Sequence, residues 1–218
     1  VEHKESIRSP GYEKRIFVKF KKKFNSFDNI TKVAVYNKSS KEQLVKYKLI
    51  NKKKIDVVGF PRGIHSLRKK KKGLFKKDTI LYFMISPYAS TLKKVSWAKI
   101  ADAVEKTLFE LAKSKPKLKF IFKGKTGIHS KKINDFKKNY NFSNINFIDG
   151  GIGHDLITPK SIVIGFNSTA IMESIISEND VIVPFFKRFR KSPYLEYAHI
   201  YDPRLFVNNE MDLKNKII

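Results

Sequence analysis

Residues 162–173 read IVIGFNSTAIME, and this stretch decides the fold of the chain. The apolar run 162–164 predicts a buried strand, and Gly165 ends that strand in a tight turn. Small and polar residues follow, and apolar residues then recur at helical spacing, so the pattern predicts a helix from about Thr169. A second apolar run, VIVP at 181–184, comes after a short connection. Strand, turn, helix and strand together make a βαβ unit with parallel strands.

The turn of this βαβ unit has the chemistry of a phosphate site. The first turn of a helix has free backbone N–H groups and a partial positive charge, and both favour a bound phosphate. Asn167, Ser168 and Thr169 surround the predicted helix start and are candidate phosphate ligands. Glu173 lies one helical turn further on, where a carboxylate is able to accept hydrogen bonds from a ribose. The competing interpretation of Glu173 is an exposed helix residue.

Short apolar runs alternate with helical patterns along the rest of the chain, which predicts a doubly wound parallel sheet of the α/β class. The expected strands lie at 32–36, 55–59, 79–85, 118–122, 145–148, 162–164 and 181–184. The other expected helices lie at 39–50, 97–112, 130–140 and 193–201.

Polar, Gly-rich and basic residues follow the predicted strands, where a parallel sheet carries its functional loops. Ser86, Lys123 and Lys125 are further candidate phosphate ligands in these loops. His154 is a candidate acid or base, or a phosphate ligand, with a structural histidine as the competing interpretation. Arg188 is a candidate clamp for an anion. For the lysines and Arg188 the competing interpretation is a solvated basic surface.

The composition limits the classes of function. The 218 residues have a formal net charge of +26, which predicts an anionic partner: nucleic acid, an anionic membrane surface or a phosphorylated small molecule. The lysines are dispersed and no nucleic-acid-recognition motif occurs, which disfavours nucleic acid. Cys is absent, which excludes thiolate metal sites and Cys nucleophiles. No Walker, HExxH, GxSxG or EF-hand pattern occurs, and the five His are scattered.

The residues GFNST at 165–169, with Glu173 and the VIVP run at 181–184, resemble the donor-binding half of GT-B glycosyltransferases. The bacterial enzymes that build lipopolysaccharide, capsule and related surface glycans are the most similar. The run IDVVGFPR at 55–62 also resembles a strand that precedes the C-terminal domain in this family. The resemblance covers residues 30–205 and is strongest at 161–184.

The resemblance implies a nucleotide-sugar-binding, Rossmann-like domain at 78–218. It makes 1–77 the end of an N-terminal acceptor-side domain plus a basic linker, and the chain a piece of a longer protein. The implied activity moves a sugar from a nucleotide-sugar donor to a growing surface glycan or a lipid-linked acceptor, without metal and with no cofactor besides the donor. Ser168 and Thr169 would bind the nucleotide phosphates, and Glu173 the ribose. The basic surface would hold a cytoplasmic enzyme against the inner face of the cytoplasmic membrane.

Other functions fit the same residues. A phosphotransferase with a CDP-glycerol or CDP-ribitol donor and a nucleotide-sugar epimerase both have this fold, and a basic nucleic-acid-binding module is the alternative of another class. The usual catalytic base of the GT-B family belongs to the acceptor-side domain, most of which is absent here. The second Glu of the family has no clear counterpart, unless Glu196 takes that place. The donor base, the sugar and the acceptor therefore stay open.

Overall fold

Two compact units make up the chain, Val1–His65 and Ser66–Ile218. The computed structural model describes residues 30–35, 38–46, 48–59, 78–85, 96–157, 161–166, 168–189 and 203–218. The predicted domain boundary after residue 77 falls at the end of a stretch outside the described residues, so it stays a prediction. The predicted helix at 193–201 lies outside them too.

In its described residues, the first unit holds a two-stranded parallel sheet and one α-helix. Strand β1 (Val33–Val35) pairs with strand β2 (Ile55–Val57), and helix α1 (Lys38–Lys46) connects them. Apolar side chains of all three elements and of the segment after α1 form the core of this unit, which consists of Val35, Leu44, Leu49, Ile50 and Ile55.

Helix α1 is shorter than the sequence predicts. The expected helix runs to residue 50, but Lys48 has a φ of 52°, which lies in the left-handed region and ends the helix. The N–H of Leu49 donates to the carbonyl of Leu44 at 3.0 Å, which closes the helix end. Leu49 and Ile50 then turn into the core of the unit.

The described part of the second unit is built on six parallel strands, and the predicted doubly wound α/β fold is confirmed. The strands are β3 (Thr79–Phe83), β4 (Lys119–Gly124), β5 (Ile145–Asp149), β6 (Ile162–Ile164), β7 (Asp180–Pro184) and β8 (Phe206–Val207). Their order across the sheet is β5-β4-β3-β6-β7-β8. The chain starts in the middle at β3, builds outward to β5 and then crosses back to β6. The direction of winding therefore switches between β3 and β6.

Among the described residues, four α-helices accompany this sheet: α2 (Trp97–Ser114), α3 (Ser130–Asn139), α4 (Thr169–Ile176) and α5 (Glu210–Ile217). The sequence pattern predicts the first three to within a few residues, but it does not predict β8 or α5. Helix α5 buries only Leu213 and Ile217, too few apolar positions to give a clear period. The side chain of Asn209 caps it by accepting from the N–H of Asp212 at 2.8 Å.

An aromatic cluster fills the space between β4, β5 and helices α2 and α3. Phe122 of β4 is fully buried at its centre. Its ring centroid lies 4.9 Å from that of Phe109 and 5.3 Å from that of Phe147. Tyr140 stacks on the other face of the arrangement, 3.7 Å from the Phe109 ring. Ring pairs of this kind add to the stability that apolar burial provides.

We expect the Phe122→Ala variant to lower the free energy of unfolding by about 3–5 kcal/mol, because it leaves a cavity in the aromatic cluster. Met211 on α5 is 63% exposed. We therefore expect Met211→Ala to change the free energy of unfolding by less than about 0.5 kcal/mol. Urea denaturation followed by circular dichroism measures both values. Equal effects of the two substitutions would contradict this account of the core.

Candidate functional site

The predicted phosphate turn at 165–169 lies at the switch point of the sheet. Strand β6 pairs with β3, with Ile164 opposite Tyr82, so the turn leaves the sheet beside the end of β3. A Cβ atom on Gly165 would lie only 3.1 Å from the Cβ and 3.3 Å from the carbonyl oxygen of Phe83. A side chain at this position would push these neighbouring atoms apart, so glycine suits the close approach. Doubly wound sheets bind their ligands just outside this edge.

Helix α4 begins where the sequence predicts, and Ser168 is its N-cap. Ser168 has an extended backbone, and its hydroxyl accepts a hydrogen bond from the N–H of Ala170 at 3.3 Å. None of the described residues in the first turn is acidic, and Thr169 is exposed. The positive end of α4 therefore faces the switch point without a negative side chain of its own first turn. Asn167 lies outside the described residues.

Glu173 lies on α4, one turn after Thr169, and it is only 5% exposed. The interpretation of Glu173 as an exposed helix residue is therefore wrong. A carboxyl group buried one turn behind a candidate phosphate site needs a specific environment, since burying a charge is costly unless it is compensated. Its role as a ribose ligand stays a prediction.

The loop after β5 folds over the same edge of the sheet. A Cβ atom on Gly153 would lie 3.0 Å from Cε1 of Phe83 and 3.7 Å from the Cβ of Ala170. This loop therefore packs on both the end of β3 and the start of α4. His154 follows in the 3₁₀ turn Gly153–Leu156, so its backbone lies beside the switch point. The side chain of His154 is outside the described part of the chain.

Lys123 and Lys125 have different environments although one residue separates them. Lys123, near the end of β4, is buried, and its ammonium donates to the carbonyl of Gly124 at 2.6 Å. Burial lowers the pKa of Lys123, and the nearby Asp149 raises it in part. Lys125 follows the strand and is exposed. Of the two, Lys125 has its charge open to a ligand from solvent, whereas Lys123 supports the strand end.

Arg188 lies in the 3₁₀ turn Lys187–Phe189 that follows β7. Its guanidinium forms an ion pair with Glu210 and lies 4.5 Å from the ring centroid of Phe189. These contacts give Arg188 a structural role in joining the turn to α5. Its role as an anion clamp stays a prediction, and Ser86 lies outside the described residues.

A chain of buried polar groups lies below the loops that follow β3 and β4. Lys132 of α3 pairs with the carboxylate of Glu105 on α2 at 2.5 Å. The hydroxyl of Tyr82 in β3 is hydrogen-bonded to the same carboxyl group, and it accepts from the N–H of Ile85 at 3.3 Å. Burial, and then Glu105, raise the pKa of Tyr82, so its hydroxyl keeps the proton that it donates.

His129 continues this chain to the second loop. Its Nδ1 accepts from the N–H of Lys125 at 3.0 Å, and its Nε2 lies 3.4 Å from the carbonyl oxygen of Ile85. An acceptor at Nδ1 places the proton of the neutral ring on Nε2, facing that carbonyl. Burial lowers the pKa of His129, which favours the neutral ring. We use the name buried polar chain for the side chains of Lys132, Glu105, Tyr82 and His129 together with the backbone groups of Ile85 and Lys125 that they contact.

The sequence contains one signal for the buried polar chain. Glu105 falls on the apolar face of α2, at helical spacing from the buried Ala101, Leu108 and Ala112. A charged residue on a face that packs against a sheet indicates a buried partner. Tyr82, by contrast, lies in the apolar run TILYF and has no distinguishing pattern.

The fold is similar to that of TarM. A crystal structure of TarM superposes with a TM-score of 0.51 at 15% identity, over 100% of this chain and 41% of TarM. A second, of an S. aureus TarM mutant in complex with fondaparinux, alpha-GlcNAc-glycerol and UDP, has a TM-score of 0.49 at 14% identity, over 86% of this chain and 36% of that one. No protein-family model and no curated protein matches the chain. The chain thus spans less than half the length of TarM.

Within the described ranges, none of the helices is both long and apolar enough to cross a membrane. The same residues contain no group of three or more His, Asp or Glu side chains that could hold a metal ion.

We expect Glu105 to make stability depend on pH. Burial raises the pKa of Glu105 from 4.5 to about 7, although Lys132 opposes this shift. Because the folded state holds the proton of Glu105 more tightly, Glu105 contributes to the free energy of unfolding. This contribution is complete below pH 4.5 and is lost as the pH rises through about 7. The stability difference between the wild type and Glu105→Gln should therefore fall by up to about 3 kcal/mol across that window.

Urea unfolding at several pH values measures this difference. Glu110→Gln is the control, since Glu110 is exposed and its pKa is lowered, chiefly by the hydrogen bond from Lys214. If the difference in unfolding free energy between the wild type and Glu105→Gln does not change with pH, the raised pKa of Glu105 is contradicted.

Proposed function

We propose that this chain is the donor-binding portion of a GT-B glycosyltransferase that builds a bacterial surface polysaccharide. One observation carries the proposal: the turn 165–169 and the positive end of α4 lie at the switch point of a doubly wound parallel sheet. The likeness to TarM, which is a GT-B glycosyltransferase, supports the same fold family. The donor would be a nucleotide-sugar, and the acceptor a growing glycan or a lipid-linked sugar.

In the proposed reaction an acceptor oxygen attacks the anomeric carbon of the donor sugar as the bond from that carbon to the nucleotide phosphate breaks. Negative charge then accumulates on the departing phosphate. The N–H groups at the start of α4, the hydroxyls of Ser168 and Thr169, and the ammonium of Lys125 would stabilise that charge without a metal ion. The ribose would bind Glu173.

Two further parts of the proposal concern the acid–base group and the place of action. His154 would supply an acid or base, because its backbone lies in the loop that packs on the start of α4. The net charge of +26 would hold the enzyme against anionic lipid at the inner face of the cytoplasmic membrane.

We expect a nucleotide to stabilise the protein, and a thermal-shift screen with UDP, CDP, CMP and GDP measures this. A ligand at 100 times its dissociation constant adds about 2.7 kcal/mol of stability. Glu173→Gln should lose most of this gain, because Gln keeps the shape of the buried side chain but removes the charge that binds ribose hydroxyls. Glu110→Gln on the outer surface of α2 is the matched control, and the nucleotide should stabilise it as much as it stabilises the wild type.

The screen also separates the competing functions. Stabilisation by CDP and CMP alone would favour the phosphotransferase with a CDP-linked donor. No stabilisation by any nucleotide, together with steeply salt-dependent binding of duplex DNA, would overturn the proposal in favour of a nucleic-acid-binding module.

We expect two substitutions of Ser168 to separate helix capping from phosphate binding. Asp and Asn are both good N-caps, so Ser168→Asp and Ser168→Asn should each keep the unfolding free energy within about 0.5 kcal/mol of the wild type. Only Asp places a negative charge where the phosphate is proposed to bind. Isothermal titration with the stabilising nucleotide should therefore show weak or no binding to Ser168→Asp and nearly normal binding to Ser168→Asn. Equal affinities would place the phosphate elsewhere.

A further inference from the structure

We propose that Tyr82 and His129 are positioning residues, which hold the start of the loop after β3, at Ile85, and the loop after β4, at Lys125, in the geometry that binds the phosphates of the donor. This inference rests on the proposed function, since it assigns a role to residues behind the proposed site. The buried polar chain connects both side chains to the backbone of those loops.

The peptide groups of Ile85 are held on both sides. Its N–H donates to the hydroxyl of Tyr82 at 3.3 Å, and its carbonyl lies 3.4 Å from Nε2 of His129. Ile85 is itself buried, and it directly precedes Ser86, a candidate phosphate ligand. The direction in which the chain leaves β3 is therefore set by two side chains that lie beneath the edge of the sheet.

The same histidine holds the loop after β4. Its Nδ1 accepts from the N–H of Lys125, the exposed lysine of the proposed site. Its position is fixed by packing as well, because a Cβ on Gly124 would lie only 2.9 Å from the Cβ of His129 and 2.5 Å from Cδ1 of Ile133. One imidazole ring thus contacts the backbone of both Ile85 and Lys125.

Glu105 and Lys132 form the other end of the buried polar chain. The carboxyl group of Glu105 accepts a hydrogen bond from the Tyr82 hydroxyl, so the oxygen of that hydroxyl is directed as an acceptor toward Ile85. Glu105 is buried while Lys132 is partly exposed, and the cost of desolvating the carboxylate offsets much of its attraction to the ammonium. The arrangement therefore fits a role in orienting the Tyr82 hydroxyl better than a role in stability alone.

The test compares Tyr82→Phe with Tyr140→Phe in the complete chain. Both substitutions remove one phenolic oxygen, but Tyr140 lies at the end of α3 and stacks on Phe109, in the aromatic cluster. Isothermal titration with UDP, CDP, CMP and GDP gives the dissociation constants. We expect Tyr82→Phe to bind about tenfold more weakly, because the freed N–H of Ile85 no longer has its buried acceptor. We expect Tyr140→Phe to bind as the wild type does.

Two variants of His129 extend the test. His129→Leu removes both contacts with the loops, and we expect a loss of binding of at least about tenfold. His129→Gln has an oxygen and an N–H at its end and is expected to recover part of that affinity. Affinities are compared under conditions in which circular dichroism shows that each variant is folded. If His129 had only a structural role, these substitutions would lower the melting temperature and leave the dissociation constant unchanged.

Amide hydrogen exchange gives a readout that needs no nucleotide. We expect faster exchange at Ile85 in Tyr82→Phe, and at Lys125 in His129→Leu. If the wild type binds a nucleotide and Tyr82→Phe and His129→Leu bind it equally well, the positioning inference is wrong and the proposed function stands. If the wild type binds none of the four nucleotides, the proposed function fails and the inference fails with it, whatever the exchange rates show.

Discussion

The pairing of β6 with β3 is the constraint on which the rest of the second unit depends. It reverses the direction of winding, and it places the turn after β6 beside the end of the central strand. Gly165 approaches Phe83 so closely that a side chain there would displace its neighbours. The start of α4, the loop after β5 and the end of β3 therefore meet at one edge, where backbone N–H groups and a helix dipole are available to an anion.

Charge is distributed unequally in this molecule. Most of the lysines that the structure describes lie on the surface, where water screens them and they cost little. By contrast, Lys123, Glu105 and His129 are buried, and each has polar partners below the carboxyl edge of the sheet. A basic surface attracts anions from a distance, but only fixed groups at that edge can select one. The net charge and the site are therefore separate features with separate physical roles.

The sequence predicts the second unit well where the elements are long or strongly apolar. Helix α2 and strands β3, β4 and β7 follow directly from apolar periodicity. The end of α1 is missed because Lys48 adopts a left-handed backbone that no residue type signalled. The sequence does not predict helix α5, because only packing against neighbouring elements shows that its two buried residues belong to the core.

For the candidate site, the order of residues along the chain determined the helix start at Ser168 and Thr169, because capping and turn chemistry act between near neighbours. It also determined the parallel α/β class, through the alternation of strand and helix patterns. Only the tertiary structure decided that Glu173 is buried and that His129 connects Ile85 to Lys125. Those contacts join residues from different strands and loops, and their geometry depends on the register of the whole sheet, which no local pattern contains.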